Sequence, residues 1–128
     1  MMRRLALTSA AAMLLPLLSG RAATDDPFKN LNCKVAKVQM ELNYCADRDF
    51  KSADRKLNAV YRKLLAASDS KEQDLLNAAK RNWVAYRDSE CELEATGSVG
   101  GSMHPMEYSV CLTQKTEAHI KDLEELGD

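Results

Sequence analysis

Apolar residues recur along most of this chain at three- and four-residue steps. Val38, Leu42 and Cys45 begin the pattern, and Ala53, Leu57, Val60, Tyr61, Leu64 and Leu65 continue it. Leu75, Leu76, Ala79, Trp83 and Tyr86 form a second stripe, and Leu112, Ile120, Leu123 and Leu126 a third. Each stripe places apolar side chains on one face of a helix. No stretch alternates as a strand does, and no Asn-Gly or Asp-Gly turn joins two runs.

Punctuation divides these stripes into three helices. Ser68-Asp69-Ser70 interrupts the first, and two capping boxes compete there, Ser70 with Gln73 and Asp69 with Glu72. Gly97, Gly100, Gly101 and Pro105 mark a loop, and Gly127 suits a C-terminal stop. The expected fold is all-α: a long helical hairpin, 36–67 and 71–95, with a third helix, 107–126, packed on it. A break in the first arm is expected near Ala46-Asp47, and residues 23–32, with Pro27, read as a lead-in.

The first residues follow a different logic. Met1-Met2-Arg3-Arg4 is a basic start, Leu5 to Leu18 is an uncharged, mostly apolar run, and Gly20-Arg21-Ala22 offers small residues for cleavage. This is the layout of a secretory signal over residues 1–22, too short for a comfortable membrane span. Arg21 stands where a lipoprotein would carry its lipidated cysteine, so no stable membrane anchor is expected. The Arg3-Arg4 pair leaves the twin-arginine and general export routes both open. Residues 23–128 then form a single periplasmic or secreted domain.

Export changes the reading of the four cysteines, because an oxidising compartment favours pairing. On one straight helix Cys33 and Cys45 would lie about 18 Å apart, beyond the reach of a disulfide. They pair only if the segment after Cys33 loops back. Cys91 and Cys111 flank the glycine loop and would staple its ends. The favoured pairing is Cys33–Cys45 with Cys91–Cys111; the rival, Cys45–Cys91 with Cys33–Cys111, stays open. Each bridge is worth about 2–4 kcal/mol to a core of this size.

The chain has 18 Lys+Arg and 19 Asp+Glu. Loss of Arg3, Arg4 and Arg21 leaves 15 against 19, a net charge of −4 with neutral histidines. No basic patch dominates, which disfavours nucleic acid, while a basic protein partner is compatible. No nucleophile has an evident base and orienting acid, and no glycine motif cradles phosphate, so no catalytic residue is assigned. Zinc-type ligand spacing is absent, so neither metal nor cofactor is expected. Met103-His104-Pro105-Met106 is the nearest alternative, as a soft-metal site.

One set of residues is more specific. Gln39-Met40-Glu41-Leu42-Asn43-x-Cys45-Ala46 leads to Ala53-Asp54-x-x-Leu57-Asn58-x-x-Tyr61. Trp83-x-x-Tyr86-Arg87-Asp88-x-x-Cys91, Gly100-Gly101-Ser102 and Cys111-Leu112 with Thr116 follow in order. The whole resembles the LprI-like family of secreted bacterial proteins, named for a lysozyme inhibitor. The resemblance implies a helical exported domain with paired cysteines and binding to lysozyme. Lys80 replaces the family's usual glutamine before the tryptophan, and His119 its common arginine after the threonine.

Individual roles follow. Trp83 is expected as a core anchor, with Tyr61 and Tyr86 beside it and their hydroxyls toward the rim. Asn58 is expected to cap or bridge helices. Asp54 and Arg87 lie at similar heights on the two arms and are expected to form a bidentate ion pair setting register, with a local Arg87–Asp88 or Arg87–Glu90 pair as the alternative. The loop from Thr96 to Met106 is the expected binding surface, with Gly100, Gly101, Ser102, His104 and Arg87 as partner contacts. His119 reads as a surface residue. The expected activity is steric inhibition of a lysozyme-type muramidase; the alternative is a structural or stress-related envelope module.

Overall fold

A computed structural model describes residues 25–127. The signal peptide expected at 1–22 lies outside them. Three helices account for most of the described chain: α1 (Gln39–Ala67), α2 (Ser70–Glu94) and α3 (His104–Leu126), with a short 3-10 helix, Ala95–Ser98, continuing α2. The expected all-α fold is the one observed.

Local chemistry sets the boundaries. At the α1–α2 turn the Asp69–Glu72 box forms: the Glu72 N–H donates to Asp69 Oδ1 and the Asp69 N–H to Glu72 Oε2, both at 2.9 Å. Gln73 is thereby left free for α1. Its Nε2 donates to the carbonyls of Leu65 (3.0 Å) and Ser68 (3.1 Å), at the end of α1 where helix carbonyls run out of intrahelical partners. The break expected at Ala46-Asp47 does not occur, and α1 runs 29 residues without interruption. Ala46 is buried there, and Asp47 pairs with Lys51 one turn on at 2.6 Å, so both residues support the helix. Helix α3 begins at His104, three residues before the expected start, because Pro105 sits in the first turn, where its missing N–H costs nothing.

The lead-in 25–38 is not helical, but it is tied to α1. The Cys33–Cys45 disulfide closes it, with Cα atoms 5.7 Å apart. The Tyr44 hydroxyl donates to Asp26 Oδ2 at 2.9 Å, and the Phe28 and Tyr44 rings lie 5.2 Å apart. Asp26 and Asn32 side chains accept from backbone N–H groups two residues on, which turns the chain back.

Helix α3, rather than α2, is the close neighbour of α1. Small buried residues permit this approach: Ala46 and Ala53 on α1, Ser109 and Thr116 on α3. Helix α2 stands further off and contributes only Arg87 and Cys91 to the fully buried set. Its inward face carries Leu76, Lys80, Trp83, Arg87 and Cys91 instead of the purely apolar stripe. At roughly 100° per residue, that is a rotation of about 70° from the stripe's centre. Tyr86 therefore lies outside, 60% exposed, and does not pack beside Trp83 in the core as expected. Leu75 is turned out for the same reason.

Two apolar clusters result. Leu57, Tyr61 and Leu123 are buried together, with Val60, Leu64, Leu76, Trp83 and Ile120 packed around them. Burying a side chain such as Leu57 is worth about 1.5–3 kcal/mol. Nearer the loop, Cys91, Cys111 and Leu112 form the second cluster with Phe50 and Tyr108. Its centre is the Cys91–Cys111 disulfide, with Cα atoms 5.6 Å apart.

Candidate functional site

The connection between α2 and α3 is shorter than its sequence suggests. The 3-10 turn and the early start of α3 leave only residues 99–103 outside helices. Ser98 to Gly101 make a type II turn: Val99 has φ −53° and ψ 130°, Gly100 has φ 79°, and the Gly101 N–H donates to the Ser98 carbonyl at 2.8 Å. The positive φ at the third position selects glycine. At Gly101 a Cβ would lie 3.1 Å from the Ser98 oxygen, so this position also favours glycine, through space.

Three helices hold the loop. From α1, Asn43 Nδ2 donates to the Ser102 carbonyl at 2.9 Å, and Gln39 Nε2 donates to Asn43 Oδ1 at 2.8 Å. From α2, the Cys91–Cys111 bridge fixes the base. From α3, His104 turns inward. Its Nδ1 lies 3.2 Å from the Ala95 carbonyl and 3.5 Å from Ser98 Oγ, and its Nε2 lies 3.6 Å from Glu92. A carbonyl only accepts, so the Nδ1 proton belongs to that bond. His104 thus supports the loop from beneath, unlike the outward contact expected of it.

A groove of about 830 Å³ opens between this loop and the first turns of α3. Gly101 and Ser102 line it with Glu94, Met103, Glu107, Val110 and Gln114, whereas Gly100 shapes the turn beside it. Met103 and Val110 are exposed there, as is Val99 at the turn. Met103, His104 and Met106 do not converge as a soft-metal site would require. Met103 faces the groove, His104 faces Ala95 and Glu92, and Met106 Sδ accepts from Gln39 Nε2 at 3.7 Å. Among the described residues, no group of three His, Cys, Asp or Glu side chains could hold a metal ion.

Arg87 is no partner contact, because it is 5% exposed and committed to the interior. Its guanidinium lies 5.1 Å from the centres of both the Phe50 and Trp83 rings. Nε and Nη2 reach Asp88 Oδ1 at 2.8 Å, and Nη1 reaches Thr116 Oγ1 at 3.3 Å and Asp54 Oδ1 at 3.5 Å. The expected link to Asp54 is present through one oxygen, not as a bidentate fork, and the local Asp88 pair is the shorter. Asn58 does bridge. It donates to the Asp54 carbonyl (2.9 Å) and carboxylate (3.0 Å) and accepts from Lys80 Nζ at 2.6 Å.

His119 lies partly buried between aromatic rings. It stacks on Trp83, ring centres 4.0 Å apart, and its Nε2 lies 2.9 Å from the Tyr61 hydroxyl. Burial pushes its pKa below the usual histidine value, with Asp122 acting the other way. Burial also raises Tyr61 above the usual phenol value. Lys80 Nζ lies 5.2 Å from the centre of the Tyr61 ring. Lys80 and His119 therefore approach the same tyrosine.

Residues 32–123 match the family model described as lysozyme inhibitor LprI. The chain belongs to the lysozyme inhibitor LprI family. The matched span covers all three helices up to Leu123, both disulfides and the loop, so the groove belongs to the LprI domain itself. An uncharacterized protein of Rhizobium meliloti (strain 1021) is 37% identical over 131 aligned residues, which cover 92% of this chain and 94% of that protein. No solved structure matches this LprI-family chain. No helix among the described residues is long and apolar enough to cross a membrane.

Proposed function

We propose that this LprI-family domain is exported behind its residue 1–22 leader and inhibits a lysozyme-type muramidase. It acts by binding, without turnover: the end of the molecule bearing the 95–103 loop sits across the enzyme's cleft and keeps substrate out. The observation that carries this reading is the family match over residues 32–123, which includes that loop. Rigidity supports it, because a loop held at Asn43, Cys91–Cys111 and His104 loses little freedom on binding. The net charge of −4 without the leader assists encounter with a basic enzyme. Two disulfides fit a periplasmic or extracellular setting.

The test is clearance of bacterial cell walls by several lysozymes. Micromolar processed, oxidised protein is expected to slow clearance by at least one. Full activity of all of them at that concentration would remove the inhibitor assignment.

A further inference from the structure

The loop end of the molecule is concave. Its turn is tied down on three sides, and a groove lies there between the loop and α3. Glu94 and Glu107 stand on that groove, and exposed Met103 and Val110 supply apolar wall. Among the described residues, the cation paired with Glu94 is Lys115, whose Nζ is shared between Glu90 at 3.1 Å and Glu94 at 2.9 Å. Glu107 makes no ion pair among the described residues, and the last turn of α2 carries no basic residue.

We infer that this groove receives a lysine or arginine side chain from the protein partner. The aliphatic stem of such a residue packs on Met103 and Val110 while its charged head reaches Glu107 and Glu94. An anionic ligand would meet the carboxylates of Glu94 and Glu107. Charge complementarity therefore selects a cationic occupant, and the apolar wall selects one on an alkyl stem. The inference rests on the inhibitor reading for the partner's identity, but the cation preference is a property of this chain.

Three variants separate these claims: Glu107→Gln removes the carboxylate without an ion pair, Gln114→Lys places a resident ammonium on the groove, and Glu124→Gln/Glu125→Gln alters charge at the far end of α3. Glu107, Gln114, Glu124 and Glu125 are not in the buried set, and circular dichroism checks that each variant folds. Calorimetry against a basic lysozyme is expected to show about tenfold weaker binding for each groove variant and none for the far-end pair, with the difference shrinking at high salt. An NMR titration with N-acetyl-arginine amide is expected to move amides of residues 94–103 and 107–114, and Gln114→Lys to abolish the shifts. If wild-type protein binds lysozyme and both groove variants bind equally well, the inference is wrong and the inhibitor reading stands. If no lysozyme binds while the arginine shifts are localised to the groove, the inhibitor reading fails and the cation site stands. Absent or scattered shifts overturn the cation site whatever lysozyme does.

Discussion

Arg87 Nη1 donates to Thr116 Oγ1 at 3.3 Å, and both residues are buried. One guanidinium thereby joins all three helices: Thr116 on α3, Asp54 and Phe50 on α1, and Asp88 on its own helix. This explains how α2 is held although it stands apart from α1 and turns polar residues inward.

The arrangement is asymmetric, and the asymmetry is testable. The Arg87 side chain is 6% exposed, against 39% for Asp54 and 43% for Asp88. Removing the acids leaves a buried cation, whereas removing the cation leaves carboxylates that water can reach. Asp54→Asn/Asp88→Asn is therefore expected to cost about 3–5 kcal/mol in urea unfolding, and Arg87→Met less. Arg87→Lys should not restore wild-type stability, because an ammonium lacks the planar fork that lies between Phe50 and Trp83. A larger loss for Arg87→Met than for the double variant would reverse this account.

His119 makes stability depend on pH. Its folded pKa lies below the unfolded value, so between the two the unfolded chain binds more protons. The contribution is complete above about pH 6.5 and is lost as pH falls through the folded value. Urea midpoints measured from pH 7.5 to 5 should fall more steeply for wild type than for His119→Phe. Parallel profiles would show that the ring is not held neutral.

The two disulfides should be separable. Cys33→Ser/Cys45→Ser is expected to release residues 25–38 and raise amide exchange there, leaving 95–103 protected. Cys91→Ser/Cys111→Ser is expected to expose the loop and the second core cluster. Each should cost about 2–4 kcal/mol. Loss of loop protection in the first pair would show that the strap and the loop act as one unit.

Two loop substitutions probe the turn and its tether. Gly100→Ala forces an alanine into φ 79° and is expected to cost about 1–2 kcal/mol. Asn43→Ala removes the bond to the Ser102 carbonyl, at about 0.5–1.5 kcal/mol. Both should raise exchange in the loop, read residue by residue. An unchanged loop in Asn43→Ala would assign the rigidity to the disulfide alone.

The helices, their number and the connection flanked by Cys91 and Cys111 were legible from apolar spacing and from Gly and Ser punctuation. The orientation of α2 was not. Its apolar residues mark one face, but Arg87 and Lys80 win the inward face because Asp54, Asn58, Thr116 and two aromatic rings satisfy them there. Tyr86 and Leu75 are displaced outward by that choice. Hydropathy cannot register such compensation, because the partners come from other helices. His119 was missed for the same reason: alone on α3 it reads as polar, and only packing supplies Tyr61 and Trp83. Asn43 stood in a motif, yet its target is a backbone carbonyl 59 residues further on, with no signal in the local sequence. The groove is a product of tertiary structure as well, since Glu94 and Glu107 come from different helices and meet only across the stapled loop.

Hydrogen exchange of the oxidised, processed protein with and without a lysozyme it inhibits tests the central claim most directly. New protection is expected at residues 95–103 and in the first turns of α3, with the far end of the bundle unchanged. Inhibition accompanied by protection confined to the α1–α2 turn or to the outer face of α2, and none at the loop, would contradict it.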